Sequence, residues 1–270
     1  MNNYILYAIL ILTGLLGTYA IIPLFRSLLI ESNVLRPNYK KDMIPVSMGI
    51  VFLPMLIINA IILAYFTTNF KDMLHIFIFL FGLVSMFFAG ILDDIIGNRD
   101  VSGLKGHFKS LLNGKLTTGG FKALFGGFIG LVISIAISKN IYDIVINTLI
   151  IALSTNLMNL LDLRPGRAIK GYLVISIVLL FTLGEYLLLI FPNVIAYFNQ
   201  DLKAKAMMGD TGSNVLGISI GILFVMGYPL KVRLIWLAFL IFIHILTEKY
   251  SLTKIIENNK FLNFIDKLGR

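Results

Sequence analysis

Of the 270 residues, 58% are hydrophobic and only 14% are charged, with a mean hydropathy of +0.90. Soluble domains carry about a quarter charged residues, so the composition excludes that class and points to a polytopic membrane protein, with residues 1–270 forming a single integral membrane domain and no room for a separate soluble one at roughly 20 residues per crossing. The absence of cysteine excludes disulfides and thiolate metal sites, and the net charge of +9 suits an orientation signal plus an anionic ligand rather than nucleic acid.

The first apolar run, Tyr4–Phe25, has no Lys or Arg ahead of it and no small-residue cleavage site behind it, so it is expected to stay as a helix rather than be removed as a signal peptide. Hydropathy places spans near 4–25, 44–66, 73–92, 119–138, 141–160, 168–183, 184–198, 211–227 and 231–247. The stretch 168–198 is divided near Gly184-Glu185, because a carboxylate costs several kcal/mol deep in lipid and little near an interface. That division also brings Asp210 to the same face as Asp93. Loops 26–43, 93–118, 161–171 and 199–210, with the tail 248–270 and Lys122, hold 19 of the 23 Lys and Arg. The positive-inside rule then puts these loops in the cytoplasm and the N-terminus outside. The expected fold class is all-α: a polytopic membrane bundle of about nine transmembrane helices, with a cytoplasmic-face cleft. In the tail, Leu252, Ile255, Ile256, Phe261, Leu262, Ile265 and Leu268 fall near one stripe. The stripe fits a C-terminal amphipathic helix, lying in the headgroup region or packed under the cytoplasmic loops.

Four cytoplasmic stretches carry chemistry. The first, Arg36–Gly49, sets Lys40 and Lys41 beside Ile44-Pro45 and Gly49, where backbone can approach a ligand closely. It reads either as a phosphate-holding loop or as a basic loop that sets topology. The second opens with Asp93-Asp94 at the end of an apolar run and continues through Arg99, Lys105, His107, Lys109 and Lys115. Adjacent acids repel unless a cation is shared, and paired hard oxygens beside cations suit Mg2+ and a phosphate. In the third, a spacing of three places Asn156, Asn159 and Asp162 on one helix face, as ligand-binding groups or as helix–helix glue. The fourth, Met208-Gly209-Asp210-Thr211-Gly212-Ser213, is a glycine turn feeding a helix N-terminus, where free N–H groups bind anions. Asp210 there reads as a helix cap, a metal ligand, or both.

Together these stretches resemble the polyprenyl-phosphate N-acetylhexosamine-1-phosphate transferase family (glycosyltransferase family 4), which includes phospho-N-acetylmuramoyl-pentapeptide transferase and its N-acetylglucosamine-1-phosphate relatives. The resemblance covers about residues 35 to 220. Met208–Ser213 carries it most specifically, then Leu92-Asp93-Asp94 with Gly103-Leu104 and Lys109, then Asn159–Asp162, and loosely Ile44-Pro45 with Gly49. It implies Mg2+-dependent transfer of a sugar-1-phosphate from a UDP-sugar to undecaprenyl phosphate, releasing UMP, in cell-wall precursor synthesis such as that of peptidoglycan. It also implies a bacterial plasma membrane with the active face cytoplasmic, and a homodimer. Carried over by motif, Asp93 and Asp94 are the catalytic pair, and Asp210 with Asp93 holds Mg2+. Lys41, Lys109, Asn159, Asp162 and Gly209 bind substrate. The chain departs from the family in two places. Pro165 stands where the third motif has a second acid, with Arg164 and Arg167 beside it, and His244 alone answers to a His-rich loop. The added cations imply a more positive cleft. A second reading is a catalytically impaired relative that binds polyprenyl phosphate or nucleotide-sugar and regulates a partner.

Overall fold

The computed structural model describes residues 2–97, 110 and 113–270. Arg99, Lys105, His107 and Lys109 lie outside the described residues. The rest is all-α apart from one small hairpin. The helices are α1 (Asn3–Glu31), α2 (Phe52–Phe66), α3 (Phe70–Ile96), α4 (Thr118–Ile137), α5 (Ile141–Leu161), α6 (Arg167–Leu187), α7 (Phe191–Leu202), α8 (Gly209–Gly227), α9 (Leu230–Lys249), α10 (Leu252–Asn258) and α11 (Lys260–Lys267). Strands β1 (Leu35–Pro37) and β2 (Met43–Pro45) pair antiparallel, and a 3-10 turn, Met48–Val51, leads into α2. Among the described residues, eight helices are long and apolar enough to cross a membrane, the turn and α2 counting as one, which makes this a multi-pass membrane protein with a helical bundle fold.

The stretch 168–198 divides close to the expected point, with a short helix in its second half. Helix α6 runs on to Leu187 with non-helical dihedrals at Leu183, one residue before the expected break. A turn then leads into α7, whose 12 residues give a length of about 18 Å, short of the roughly 30 Å apolar layer. Helix α7 is amphipathic, burying Val194, Tyr197 and Asp201. Its end nevertheless returns to the start of α6, because the Gly166 N–H donates to Asp201 Oδ2 at 2.7 Å. The expectation for the tail needs correction. The stretch 248–270 is two short helices set off from α9 at Tyr250-Ser251, not one continuous helix. The side chain of Asn259 interrupts it by accepting from the N–H groups of Phe261 and Leu262, which caps α11.

Helix α8 is the axis of the bundle. Every residue from Thr211 to Val225 is buried, and it packs chiefly on α5 and α3. An apolar helix buried all round belongs to the core rather than to the lipid-facing shell. By contrast α9 exposes Ile235, Phe242 and Ile245, as a helix at the bundle edge facing lipid would.

The tail is locked onto the third loop. Arg167, nearly buried, makes a two-pronged contact with Asp266 at 2.7 and 3.0 Å. Lys170 Nζ donates to the carbonyls of Ile265, Asp266 and Leu268 at the end of α11. Arg270 closes the group by donating to Pro165 O and Asp266. Burial pushes the Asp266 carboxyl up, but Arg167 and Arg270 outweigh it and hold it below the ordinary 3.8. A depressed carboxylate contributes stability that is complete above the unfolded value and is lost as pH falls through the folded one. Docking of the tail should therefore be pH-independent near neutrality and fail below about pH 3.8. Breaking a buried pair by removing one partner costs about 3–5 kcal/mol, so Asp266→Ala should open residues 250–260 to limited proteolysis at neutral pH.

Candidate active site

The described parts of the four stretches, with Asp93-Asp94 standing for the second, converge at one end of the bundle. The Met48 and Gly49 N–H groups donate to the Met207 and Met208 carbonyls at 3.0 and 2.9 Å, and the Met207 N–H donates to Pro45 O at 2.8 Å. The first and fourth stretches are thereby joined backbone to backbone. Gly49 lies so close to Gly212 that a side-chain carbon at either position would overlap its neighbours. Arg36 donates to the carbonyls of Asp94 and Gly97, capping the end of α3 from the hairpin.

The two adjacent acids do different work. Asp94 anchors the start of α8. Its Oδ1 accepts from the Asp210 N–H at 2.9 Å. Its Oδ2 accepts from the Thr211 N–H at 2.9 Å, the Thr211 hydroxyl at 2.6 Å and the Ser47 hydroxyl at 2.9 Å. These are the free N–H groups of a helix N-terminus, satisfied by a carboxylate from a different helix. Gly209 makes the approach possible. Its φ of 72° is left-handed, and a Cβ there would meet the Asp94 carboxylate. Gly209→Ala should destabilise by about 1–2 kcal/mol from the left-handed backbone alone, and by more from the clash, read as a lowered thermal midpoint in detergent.

Asp93 faces elsewhere. Lys122, the fifth residue of α4, places Nζ 2.8 Å from Asp93 Oδ2 and 2.9 Å from Asp210 Oδ2. Lys122 is the site residue that sequence reasoning passed over, counting it only as a topology charge. The one available signal was a lone cation just inside an apolar run, at Gly120-Phe121-Lys122. Carboxylates from α3 and α8 thus converge on one compact cation. That donor set suits Mg2+, which takes one or two carboxylates and completes its shell with water and phosphate oxygens. Among the described residues no group of three or more acids and histidines is arranged to hold a metal ion unaided.

Beside this cluster lies a cavity of about 390 Å3, lined by Asp94, Asn159, Asp162, Asp201, Gly209 and Asp210, with Asn38, Tyr39, Arg164 and Pro165 among its other walls. Asn159 serves both readings raised by the sequence. It lines the cavity and also binds α8, donating to Asn214 Oδ1 at 2.6 Å and accepting from the Ser213 hydroxyl. Asp162 lines the cavity with no hydrogen-bond partner for its carboxyl among the described residues. Burial pushes its pKa well above the carboxylate range, and Asp201, Asp210 and Asp94 push the same way. Lys41 does not join them. It sits exposed at the hairpin turn with φ 71°, and Asn38 and Tyr39 line the cavity in its place.

The expectation of a more positive cleft is also corrected. Arg167 is committed to Asp266, and Arg164 approaches Glu257 at 3.7 Å. Both arginines therefore face acids of the tail, and although Arg164 also lines the cavity, four carboxylates (Asp94, Asp162, Asp201 and Asp210) line it too. His244 lies within α9, with Nδ1 against the Leu240 carbonyl at 2.7 Å, and it does not line the cavity.

Fold and site together define a multi-pass helical membrane protein with an acid–lysine cluster and a cavity lined by several carboxylates at one end of its bundle. Neither a protein-family model nor a curated protein sequence matches the chain.

Proposed function

We propose that this protein transfers a sugar-1-phosphate from a UDP-sugar to undecaprenyl phosphate, in the bacterial plasma membrane, with its cavity facing the cytoplasm. One observation carries the reading. Acids distant in the chain, Asp93, Asp94, Asp162 and Asp210, meet beside one cavity, and two of them converge on a single cation. The crowding of Lys and Arg into the loops at that end supports the orientation, and the motifs that resemble the transferase family supply the reaction class.

In the reaction a lipid phosphate oxygen attacks the β-phosphorus of the UDP-sugar. The bond from that phosphorus to the UMP oxygen breaks, and UMP leaves. Catalysis of such a transfer is mainly positioning and charge neutralisation. Mg2+, held by Asp93 and Asp210, would supply neutralisation of the diphosphate. Asp93 is the carboxylate available to orient the lipid phosphate and take its proton. Asp94 is a positioning residue that fixes the first turn of α8. Lys122 supplies a cation within reach of the phosphates. Asp162, whose carboxyl has no hydrogen-bond partner among the described residues, lines the cavity where it can hydrogen-bond a sugar or base group. Asn159 is held by α8 on the same wall.

The test follows the label. A UDP-sugar carrying 32P at the β-phosphorus should pass its label to butanol-extractable lipid, whereas α-phosphorus label should stay in the aqueous UMP. Retention of both labels in water across UDP-N-acetylglucosamine, UDP-N-acetylmuramoyl-pentapeptide and other UDP-sugars would count against the proposal. It would favour the alternative, a catalytically impaired relative that binds polyprenyl phosphate or nucleotide-sugar. That alternative draws on one observation: Asp94, half of the acidic pair, is fully occupied in capping α8.

A further inference from the structure

We infer that Lys122 is a displaceable counter-ion, holding the divalent-cation seat between Asp93 and Asp210 and yielding it only when a phosphate arrives to receive its ammonium group. The inference rests on the proposed reading of the cavity as a cation and phosphate site, and adds how the two ligands are coupled.

The geometry is specific. Lys122 Nζ lies 2.8 and 2.9 Å from one oxygen of each carboxylate, and the three side chains are only 18%, 13% and 31% exposed. Among the described residues neither acid makes a salt bridge to any other cation. Two carboxylates this close cannot both stay ionised without a shared positive charge. Here the protein supplies that charge itself. A divalent cation therefore meets a site already neutralised, and to enter it must expel an ammonium that, among the described residues, has salt-bridge partners only in these two acids. A substrate phosphate changes the balance by offering that ammonium a partner.

The residue type fits the task. Lysine is a compact point charge on a flexible four-carbon stem, whereas the planar guanidinium of arginine suits fixed, two-pronged contacts. The chain uses arginine for the permanent clamp, Arg167 on Asp266, and lysine here. Helix α4 begins at Thr118 with the Thr117 side chain capping Gly120, so the backbone under Lys122 is anchored and the movement falls to the side chain. Coupling of this kind is reciprocal. Phosphate must strengthen cation binding by the factor with which the cation strengthens phosphate binding.

The experiment measures Mn2+ binding to the purified chain in detergent, by loss of the free-ion paramagnetic resonance signal, with and without inorganic phosphate. In the unaltered protein, phosphate should tighten Mn2+ binding by about ten-fold, within the usual range for coupled sites. Lys122→Met should bind Mn2+ about ten-fold more tightly than the unaltered protein in the absence of phosphate, and phosphate should add little. Adding Asp93→Asn to that variant should erase the gain. Mn2+ binding by Lys122→Met that is no tighter than in the unaltered protein would overturn the inference. If Lys122→Met yields no folded protein, the phosphate arm decides it on the unaltered chain, where Mn2+ affinity indifferent to phosphate overturns it. The readout is cation binding, so coupling without sugar-phosphate transfer would tell against the transferase reading alone.

Discussion

Replacing Asp94 with asparagine is expected to destabilise the protein by about 3–5 kcal/mol, the range for removing one partner from a buried charged network. The effect should be seen as a steep fall in thermal midpoint and in monodisperse yield. The reason is donor arithmetic. Asp94 accepts two backbone N–H groups and two hydroxyls. An amide of the same shape must turn its own NH2 group toward at least one of those donors. Hydrogen bonds to a charged group contribute about 1.5–3 kcal/mol each, and an orphaned buried donor adds a desolvation penalty. The loss falls at the first turn of α8, which is buried from Thr211 to Val225, so the damage spreads to the packing of α3 and α5. Asp93→Asn is the internal control. It leaves Lys122 paired with Asp210 and should lower the midpoint far less.

The converse holds for turnover. Asp93→Asn and Asp210→Asn should each lower kcat for sugar-phosphate transfer by about 10²–10³-fold, the usual effect of removing one preorganised electrostatic group from a reacting centre, while leaving most of the folded yield. These two acids touch the cation seat and face away from the helix-capping network. Removal of divalent cations with EDTA should stop turnover in the unaltered protein as fully as either substitution. Double substitution should add little to either single one, because the two carboxylates act on one ion and residues acting as a unit are not additive.

How far the sequence foretold this arrangement varies residue by residue. Apolar runs of about 20 residues announce crossing helices because backbone groups must be satisfied internally in lipid, and those helices are present. The break near Gly184-Glu185 was legible from the cost of a carboxylate in lipid, but the bounds of α7 were not, because its amphipathic end runs past the apolar stretch to Leu202. The meeting of Asp93, Asp94, Asp162 and Asp210 was legible once every charged loop was assigned to one face. Their separate duties were not. Neighbours on a helix point about 100° apart, and sequence does not say which of two adjacent acids turns toward α8. Lys122 was hidden in plain view, since a cation at a helix start serves equally as a topology signal. Arg164 and Arg167 misled for a different reason. Their partners, Glu257 and Asp266, lie far along the chain, and no local pattern links a loop to the tail that neutralises it.

The most direct measurement is UMP release by purified protein supplied with undecaprenyl phosphate, Mg2+ and a panel of UDP-sugars, run beside Asp93→Asn and an EDTA control. The expected result is UMP release from at least one donor, abolished by EDTA and reduced about 10²-fold or more in the variant. No release from any donor by protein that is folded and monodisperse, or release that Asp93→Asn leaves untouched, would contradict the assignment of this acid–lysine cluster as a phosphoryl-transfer centre.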